Sequence, residues 1–231
     1  MATKALVLSS GGIDSSTCLG LAVKNFGKEN VSSVSVTYGQ RHTNELEYAN
    51  KIAEFYDVKH YLLDLKCIFE YSDCSLMKFS SHDIDEDTYE HQYEVAKEEG
   101  GHIASYVPFR NGVMLSSVAA LALSIYPDEE VEIYLGCHAD DYAYADCTPE
   151  FIKHMTAAID TGTYNKIKVK TPLYNMTKAE VVGMGLKLGV PYKYTWSCYN
   201  GGEKPCCKCA SCLDRMKAFE LNGMTDPLLG E

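Results

Sequence analysis

The sequence lacks any run of lysine and arginine residues. Acidic side chains outnumber basic ones by 32 to 21, which gives a net charge of −11. Proteins that hold the phosphate backbone of nucleic acids present basic patches to it. We therefore expect small molecules as partners, and no direct contact with nucleic acid.

Long apolar segments are also missing. The first residues, MATKALVLSSGG, contain neither the extended apolar stretch nor the cleavage site of a signal peptide. The most apolar later segment, VMLSSVAALALSIY, is too short and too rich in serine to span a bilayer. We expect a cytoplasmic protein that makes no membrane contact.

Internal repeats, low-complexity tracts and long linkers are absent, and strand-like segments alternate with helix-like ones. The predicted strands cover residues 4–9, 31–39, 59–65 and 131–136. This alternation predicts an α/β fold with a doubly wound, mainly parallel sheet. The 231 residues suffice for one such domain with a small appended module, and we place the two at residues 1–195 and 196–231.

Residues 66–104 interrupt the alternation with an acidic, tyrosine-rich stretch that has no clean periodicity. We interpret this stretch as an insertion or lid that contains some helix. Its simplest description is a solvated excursion on the surface.

The segment VLSSGGIDSS, residues 7–16, joins the first predicted strand to the first predicted helix. Gly11 and Gly12 allow backbone N–H groups to turn inward around an anion, and the helix start adds its positive dipole end. The Gly-Lys-Ser/Thr ending of a Walker loop is missing, so transfer of a terminal phosphate is not expected. The arrangement from Ser10 to Ser15 resembles the pyrophosphate loop (PP-loop) of the N-type ATP pyrophosphatases. The alternative is a plain glycine turn that caps a helix.

Two further segments contain arginines at positions suited to ligand binding. TYGQRH places Arg41 and His42 at the carboxyl end of the second predicted strand, where open α/β sheets bind ligands. VPFRNG places Arg110 and Asn111 at a helix start, where an arginine can hold a phosphate or carboxylate bidentately. The alternative for both arginines is a surface salt bridge, and a structural role suits His42 better.

The loop GCHADDYAYADC, residues 136–147, concentrates Asp140, Asp141 and Asp146 after a predicted strand. Carboxylates in such a loop can bind the Mg²⁺ of ATP, or accept the two N–H donors on the edge of a guanine-like ring. A solvated acidic loop is the competing interpretation.

Five of the ten cysteines lie close together near the carboxyl end. Four of them, Cys198, Cys206, Cys209 and Cys212, have the spacing of a closed four-thiolate zinc site. An iron–sulfur cluster is the alternative, although the ferredoxin-type run places a proline after its last cysteine, and here Pro205 precedes the run. With four protein ligands the metal is expected to be structural.

Several segments resemble, in the same order, those of the 7-cyano-7-deazaguanine synthase family. They are SGGIDS, YGQRH, FRN, ADC, PLYNMTKAEVVGMGLKLGVPYKYTWSCYNGG and the CxxCxxC knuckle. Only residues 66–104 lie outside the resemblance. The resemblance implies a PP-loop ATPase fold and a ligase that converts 7-carboxy-7-deazaguanine, ATP and ammonia into the nitrile base used for queuosine. It also implies Mg²⁺ with the ATP, one structural zinc ion per subunit, and a homodimer.

The resemblance implies roles for individual residues as well. The catalytic residues would be Asp14, which organises the loop or its Mg²⁺, and Arg110 and Lys178, which offset developing phosphate charge. Substrate-binding residues would be Arg41, Asn111, Asp140 and Asp146. ATP-binding residues would be Ser9, Ser10, Gly11, Gly12, Ile13, Asp14, Ser15, Ser16, Thr17, Cys18 and Leu19.

Some positions depart from the family's pattern. Ala143, Ala145 and Thr148 stand where glycine, proline and arginine are expected, and Phe109 and Cys207 stand where glycine is expected.

Three alternative functions remain open at this level. The first is a related ligase that stops at the amide, adenylates another acceptor, or supplies a deazaguanine pathway of DNA modification. The second is a tRNA-thiolating PP-loop enzyme, which would need a cysteine pair near the loop. The cysteines at positions 18, 67, 74, 137 and 147 suggest no such pair. The third is a non-catalytic zinc-ribbon adaptor.

Overall fold

The computed structural model describes residues 3–139, 141 and 143–230. Its strands form one sheet and are β1 (Lys4–Leu8), β2 (Val31–Thr37), β3 (Lys59–Asp64), β4 (Val131–Tyr134) and β5 (Ile167–Lys170). All neighbouring strands pair in parallel, in the order β3-β2-β1-β4-β5. The predicted doubly wound parallel sheet is confirmed.

Helices follow most of the strands. The described α-helices are α1 (Ile13–Phe26), α2 (Asn44–Tyr56), α3 (Lys66–Phe69), α4 (Tyr89–Glu98), α5 (Arg110–Ile125), α6 (Pro149–Gly162), α7 (Lys178–Leu188) and α8 (Ala210–Leu221). Local chemistry fixes several ends. Thr148 caps α6, Thr177 and Glu180 form a capping box on α7, and Gly189 ends α7 with a left-handed φ of 72°. None of the described helices has the length and apolar character needed to cross a bilayer.

The central strand β1 divides the core into two layers. Its side chains alternate, with Leu6 and Leu8 packing on the side of α5 and α6, and Ala5 and Val7 packing on the side of α1, α7 and α8. This alternation follows from the two-residue period of a strand. Because the chain winds from β1 first toward β3 and later toward β5, the order reverses between β1 and β4, where open α/β sheets bind ligands.

The segment 66–104 is not merely a solvated excursion. Phe69, Leu76 and Met77 are buried in a small core with Tyr38, at the carboxyl end of β2. Tyr89, the first residue of α4, reaches the cavity described below. The expectation of a solvated surface excursion is therefore wrong for this part of the segment, because its apolar side chains cover the sheet edge.

The segment after residue 195 is tied to the rest of the chain by buried polar contacts. The backbone N–H of Trp196 donates to the carbonyl oxygen of Gly11 over 2.8 Å. The buried side chain of Arg215 donates to the backbone oxygen of Tyr192 over 3.2 Å and to the hydroxyl of Thr195 over 2.8 Å. The division of the chain at residue 195 stays a prediction.

Candidate active site

A cavity of about 250 Å³ lies at the carboxyl ends of β1, β2 and β4. Ser9 and Ser10 line it after β1, Tyr38 after β2, and His138 after β4. The amino-terminal end of α1 borders the same cavity. This is the topological switch point of the sheet, so the fold alone marks it as the place for a ligand.

The glycines of the loop after β1 have distinct structural reasons. Gly11 has a φ of +74°, and a Cβ atom there would lie 2.5 Å from the backbone oxygen of Glu45 in α2. Gly12 is the N-cap of α1 and provides no side-chain cap. Ser10 and Ser15 brace the turn, since the N–H of Ser10 donates to the hydroxyl of Ser15 over 3.1 Å. The first turn of α1 thus presents its backbone N–H groups to the cavity.

The predicted ATP-binding residues divide into two groups. Ser9, Ser10, Gly12, Ile13, Asp14 and Ser15 line the cavity, whereas Gly11 lies between them in the loop without lining it. The later ones belong to the buried side of α1. The hydroxyl of Thr17 shares a 2.8 Å hydrogen bond with that of Tyr192, and Ser16, Cys18 and Leu19 are fully buried. A helical period of 3.6 residues turns these four away from the ligand, although the sequence motif runs through them.

Asp14 and Lys178 form an ion pair at the cavity wall. The Nζ atom of Lys178 lies 2.6 Å from Oδ2 of Asp14, although 164 residues separate them in sequence. His138, also buried, places its Nε2 atom 3.5 Å from Lys178 Nζ and 3.9 Å from Asp14 Oδ2. The fold therefore brings together two of the predicted catalytic residues.

Burial and charge act in opposite directions on this pair. Burial alone would raise the pKa of Asp14, but Lys178 and His138 outweigh it and lower the pKa. Burial alone would lower the pKa of Lys178, and the Asp14 carboxylate raises it instead. Both groups are held in their charged forms at neutral pH. For Asp141, which faces His138 from the same loop, burial is the largest influence and raises the pKa.

Arg110, the third predicted catalytic residue, lines another part of the cavity at the start of α5. One of its nitrogens, Nη1, donates to the hydroxyl of Tyr38 over 3.3 Å, and its guanidinium group lies 5.5 Å from the centre of that ring. Burial alone would lower the pKa of Arg110, but the surrounding tyrosines raise it, so the guanidinium stays charged.

Asn111 and Asp146 bind each other. The backbone N–H of Asn111 donates to Oδ2 of Asp146 over 2.7 Å, and its side chain donates to the backbone oxygen of Asp146 and to the sulfur of Cys147. Asp146 is buried and does not line the cavity, whereas Asn111 does. The pair fixes the start of α5 and with it the position of Arg110.

Another predicted substrate-binding residue is not brought to the cavity. Arg41 does not line it. Its guanidinium donates instead to the backbone oxygens of Ser75 and His82, within the segment 66–104. Asp140 lies outside the described residues. The rule that ligands bind at strand ends located Arg41 near the correct edge, but it cannot tell which way a side chain turns.

Cys137 and Cys147 form a cysteine pair beside the cavity. Their sulfur atoms and a carboxylate oxygen of Asp141 lie within 4.8 Å of one another. A hydrogen bond with Cys147, together with burial, raises the pKa of Cys137 well above its ordinary value. The expectation that the scattered cysteines form no pair is wrong, because the loop between β4 and α6 folds back on itself.

Sequence reasoning missed several other residues of the cavity. Tyr89, Tyr144 and Tyr199 come from the segment 66–104, the loop after β4 and the cysteine segment, and their rings or hydroxyls contact one another. Glu45, in the first turn of α2, was also missed, although its place just beyond the end of β2 could have drawn attention to it.

The four predicted metal-ligating cysteines converge. The sulfur atoms of Cys198, Cys206, Cys209 and Cys212 lie within 4.8 Å of one another, and those of Cys206 and Cys212 are 3.9 Å apart. Four sulfurs around a tetrahedral zinc ion, each about 2.3 Å from it, would lie about 3.8 Å from one another. Backbone N–H groups of Cys206 and Cys209 donate to two of the sulfurs, which favours the thiolate form. The cluster fits a four-thiolate metal site.

Comparison with known proteins agrees with this geometry. The family model described as "Queuosine biosynthesis protein QueC" matches residues 4–223. The chain belongs to the QueC family. A relative from Thermoplasma acidophilum, named 7-cyano-7-deazaguanine synthase, is 41% identical over 232 residues, which are 97% of this chain and 91% of that protein. Another of the same name, from Archaeoglobus fulgidus, is 38% identical over 234 residues, 99% of this chain and 90% of that protein.

A solved structure shares the fold of this QueC-family chain. NMN synthetase from Francisella tularensis superposes with a TM-score of 0.50 at 13% sequence identity, over 97% of this chain and 79% of that one. At such low identity the likeness concerns the fold alone.

Two departures from the QueC pattern have a structural explanation. Phe109 and Cys207, which stand where glycine is expected, have left-handed φ values of 54° and 58°. Glycine adopts this conformation without the clash that a Cβ atom causes. The ring of Phe109 packs against the ring of Phe151, and the two ring centroids are 5.7 Å apart. Cys207 contacts the backbone oxygen of Pro205 through its sulfur.

Proposed function

We propose that this QueC-family chain is a 7-cyano-7-deazaguanine synthase, which converts 7-carboxy-7-deazaguanine, ATP and ammonia into the corresponding nitrile. Its relatives carry this name. The observation that supports the proposal best is the buried ion pair of Asp14 and Lys178, beside a glycine–serine loop at the end of β1. A lysine held charged at an anion-binding loop suits a reaction that moves phosphate groups.

The proposed chemistry uses ATP to make a poor leaving group into a good one. The substrate carboxylate attacks the α-phosphorus of ATP, pyrophosphate departs, and ammonia then displaces AMP from the acyl-adenylate to give the amide. The amide oxygen attacks a second ATP in the same way. Loss of AMP and of the remaining N–H protons leaves the nitrile. Every step needs alignment and neutralisation of phosphate charge more than it needs covalent help from the protein.

The described residues divide this work among themselves. The N–H groups at the start of α1, with Ser10 and Ser15, would hold the departing pyrophosphate. Lys178 would offset the charge that develops on the phosphates. Arg110, on another wall of the cavity, would hold the substrate carboxylate or a phosphate.

Asp14 also fits a magnesium ion bound with ATP. Its Oδ1 atom is buried and finds no hydrogen-bond partner among the described residues, while Oδ2 faces Lys178. Magnesium in nucleotide sites is held by one or two carboxylates together with phosphate oxygens. When bound, the ion would supply positive charge to the triphosphate. Asp141 provides a second carboxylate on the same cavity wall.

The four-cysteine cluster would hold a zinc ion with a structural role. Four thiolates would fill the tetrahedral coordination of a zinc ion, so no position would remain for water or substrate. Trp196 packs against these cysteines and donates its backbone N–H to Gly11. The zinc site would thereby fix one side of the pyrophosphate loop.

Product analysis tests the proposed function. Wild-type protein is incubated with MgATP, ammonium and 7-carboxy-7-deazaguanine, and the products are measured by a pyrophosphate assay and by mass spectrometry. We expect AMP, pyrophosphate and the nitrile. Asp14→Asn serves as the inactive control. Accumulation of the amide would favour the ligase that stops there, and absence of AMP would contradict the proposal and favour the adaptor.

Three accompanying expectations belong to the same proposal. They are a homodimer, ammonia as the nitrogen donor, and activity in the cytoplasm with no direct nucleic-acid partner. Light scattering of the purified protein and replacement of ammonium by glutamine test the first two.

A further inference from the structure

Glu45 lies in the cavity wall without a polar partner. It belongs to the first turn of α2, and it lines the cavity together with Arg110, Tyr38 and Tyr199. Among the described residues no group donates a hydrogen bond to its carboxylate, and no cation lies within 4.0 Å of it. The residue is half-buried, and withdrawing a carboxylate from bulk water without such a partner is costly.

Burial is the largest influence on this carboxyl and raises the pKa of Glu45 to about 7, although the positive charge of Arg110 opposes the rise. An acidic group kept in this state inside a ligand cavity is typical of functional sites. The cost of burying it is recovered when a ligand donates hydrogen bonds to it.

The other described acidic side chains of the cavity are already engaged. Asp14 faces Lys178, and Asp141 accepts a hydrogen bond from the backbone of His138 over 3.0 Å. Asp214 also has an interaction of its own. Unlike these three, Glu45 has no hydrogen bond or ion pair of its side chain among the described residues, and the proposed magnesium site at Asp14 and Asp141 does not use it.

A guanine-like ring matches a carboxylate particularly well. Its edge carries a ring N–H and an exocyclic amino group side by side, and both are donors. A carboxylate offers two acceptor oxygens at a similar spacing. The edge of adenine presents an amino donor beside a ring nitrogen that is an acceptor. An ionised carboxylate can therefore accept from the amino group but makes no hydrogen bond with the ring nitrogen.

We propose that Glu45 recognises the base, accepting hydrogen bonds from the ring N–H and the exocyclic amino group of the deazaguanine substrate. Tyr38 and Tyr199 line the same cavity and supply aromatic surface for the base, and Arg110 supplies positive charge near the ionised carboxylate. The assignment rests on the proposed function, and it gives that function a specificity-determining residue.

The test compares Glu45→Gln with Glu47→Gln, a substitution on the same helix at an exposed glutamate that pairs with Lys51. Glutamine turns one acceptor into a donor that opposes the donors of the base. We expect Glu45→Gln to weaken binding of 7-carboxy-7-deazaguanine about 10- to 100-fold, measured by calorimetry without ATP. The KM for ATP stays unchanged, and Glu47→Gln behaves like the wild type. Because the substitution removes a buried charge, we expect no loss in melting temperature.

A base analogue without the exocyclic amino group provides the second readout. Wild-type protein should bind it more weakly than the natural base, and Glu45→Gln should lose most of this discrimination. The inference would be overturned if Glu45→Gln and the wild type bound the natural base with equal affinity. It would also be overturned if the substitution raised the KM for ATP and left the affinity for the base unchanged, because that result would place the adenine ring at Glu45. If the wild type binds no carboxylated base at all, the proposed function fails together with the inference.

Discussion

Replacing Lys178 by methionine tests the central feature of the site. The substitution keeps the length of the side chain but removes the charge that lies 2.6 Å from Asp14. At an effective dielectric constant of about 20, the attraction across this distance is about 6 kcal/mol. Desolvation offsets part of it, so removal of one partner from a largely buried pair costs about 3 kcal/mol. For a chain of this size, the melting temperature should fall by roughly 6–12 °C.

The same substitution should reduce activity beyond its effect on stability. Without Lys178, the charge that develops on the phosphates would lose a cation of the cavity wall, and we expect kcat for pyrophosphate release to fall about 100- to 1000-fold. The double variant Asp14→Asn with Lys178→Met separates the two effects. It should recover most of the lost stability, because no buried charge remains unpaired, yet it should stay inactive.

The pH dependence of stability gives an independent check on the pair. Because the folded protein lowers the pKa of Asp14 from 3.8, the contribution of the pair is fully present above pH 3.8 and is lost as the pH falls through the lower folded value. In Lys178→Met, burial is no longer offset by the lysine, so the pKa of Asp14 is higher in the folded variant than in the folded wild type. The difference in unfolding free energy between the two proteins should therefore be largest at high pH and shrink as the pH falls below the pKa of Asp14 in the variant. Urea titrations measure it. A Lys178→Met protein with wild-type melting temperature and activity would refute the reasoning.

Three further outcomes follow from the geometry. Gly11→Ala should unfold at a clearly lower temperature than Gly100→Ala. Both glycines have φ above 70°, but only at Gly11 would an added Cβ atom clash with the backbone of a neighbouring segment. Equal melting temperatures of the two variants would contradict this close approach. Cys207→Gly should raise the unfolding free energy by about 0.5–1 kcal/mol, because it relieves a left-handed backbone; a lower value in chemical denaturation would count against this. Cys198→Ser should lose the bound metal and several kcal/mol of stability. The fluorescence of Trp196, the single tryptophan, should change when the metal is lost. Full zinc occupancy of the Cys198→Ser protein, measured by plasma mass spectrometry, would exclude the four-thiolate assignment.

Features that depend on neighbouring residues could be predicted well. The loop from Ser10 to Ser15, the capping box at Thr177 and the spacing of the four cysteines all follow from chemistry within one short segment. Helix and strand periods set the alternation that leads to a parallel sheet. The direction in which α1 runs back along the sheet could also be predicted, because a strand, a glycine turn and a helix can connect in few ways.

Features that depend on residues far apart in the chain could not be predicted. Arg41 satisfies the same strand-end rule as Tyr38, yet only the second enters the cavity, because contacts with the segment 66–104 turn the arginine away. The pairing of Cys137 with Cys147 depends on how the loop between them folds, which no spacing rule describes.

By itself, the sequence determined a nucleotide-type loop at the end of β1 and a cluster of four cysteines, because hydrogen bonds and steric limits act over a few residues. Only the tertiary structure decided that Lys178 would meet Asp14 and that Glu45 would face the cavity unpaired. Such contacts join elements from opposite ends of the chain. They arise from the way the helices pack against both faces of the sheet, and side-chain packing over these distances has no signature in any single segment.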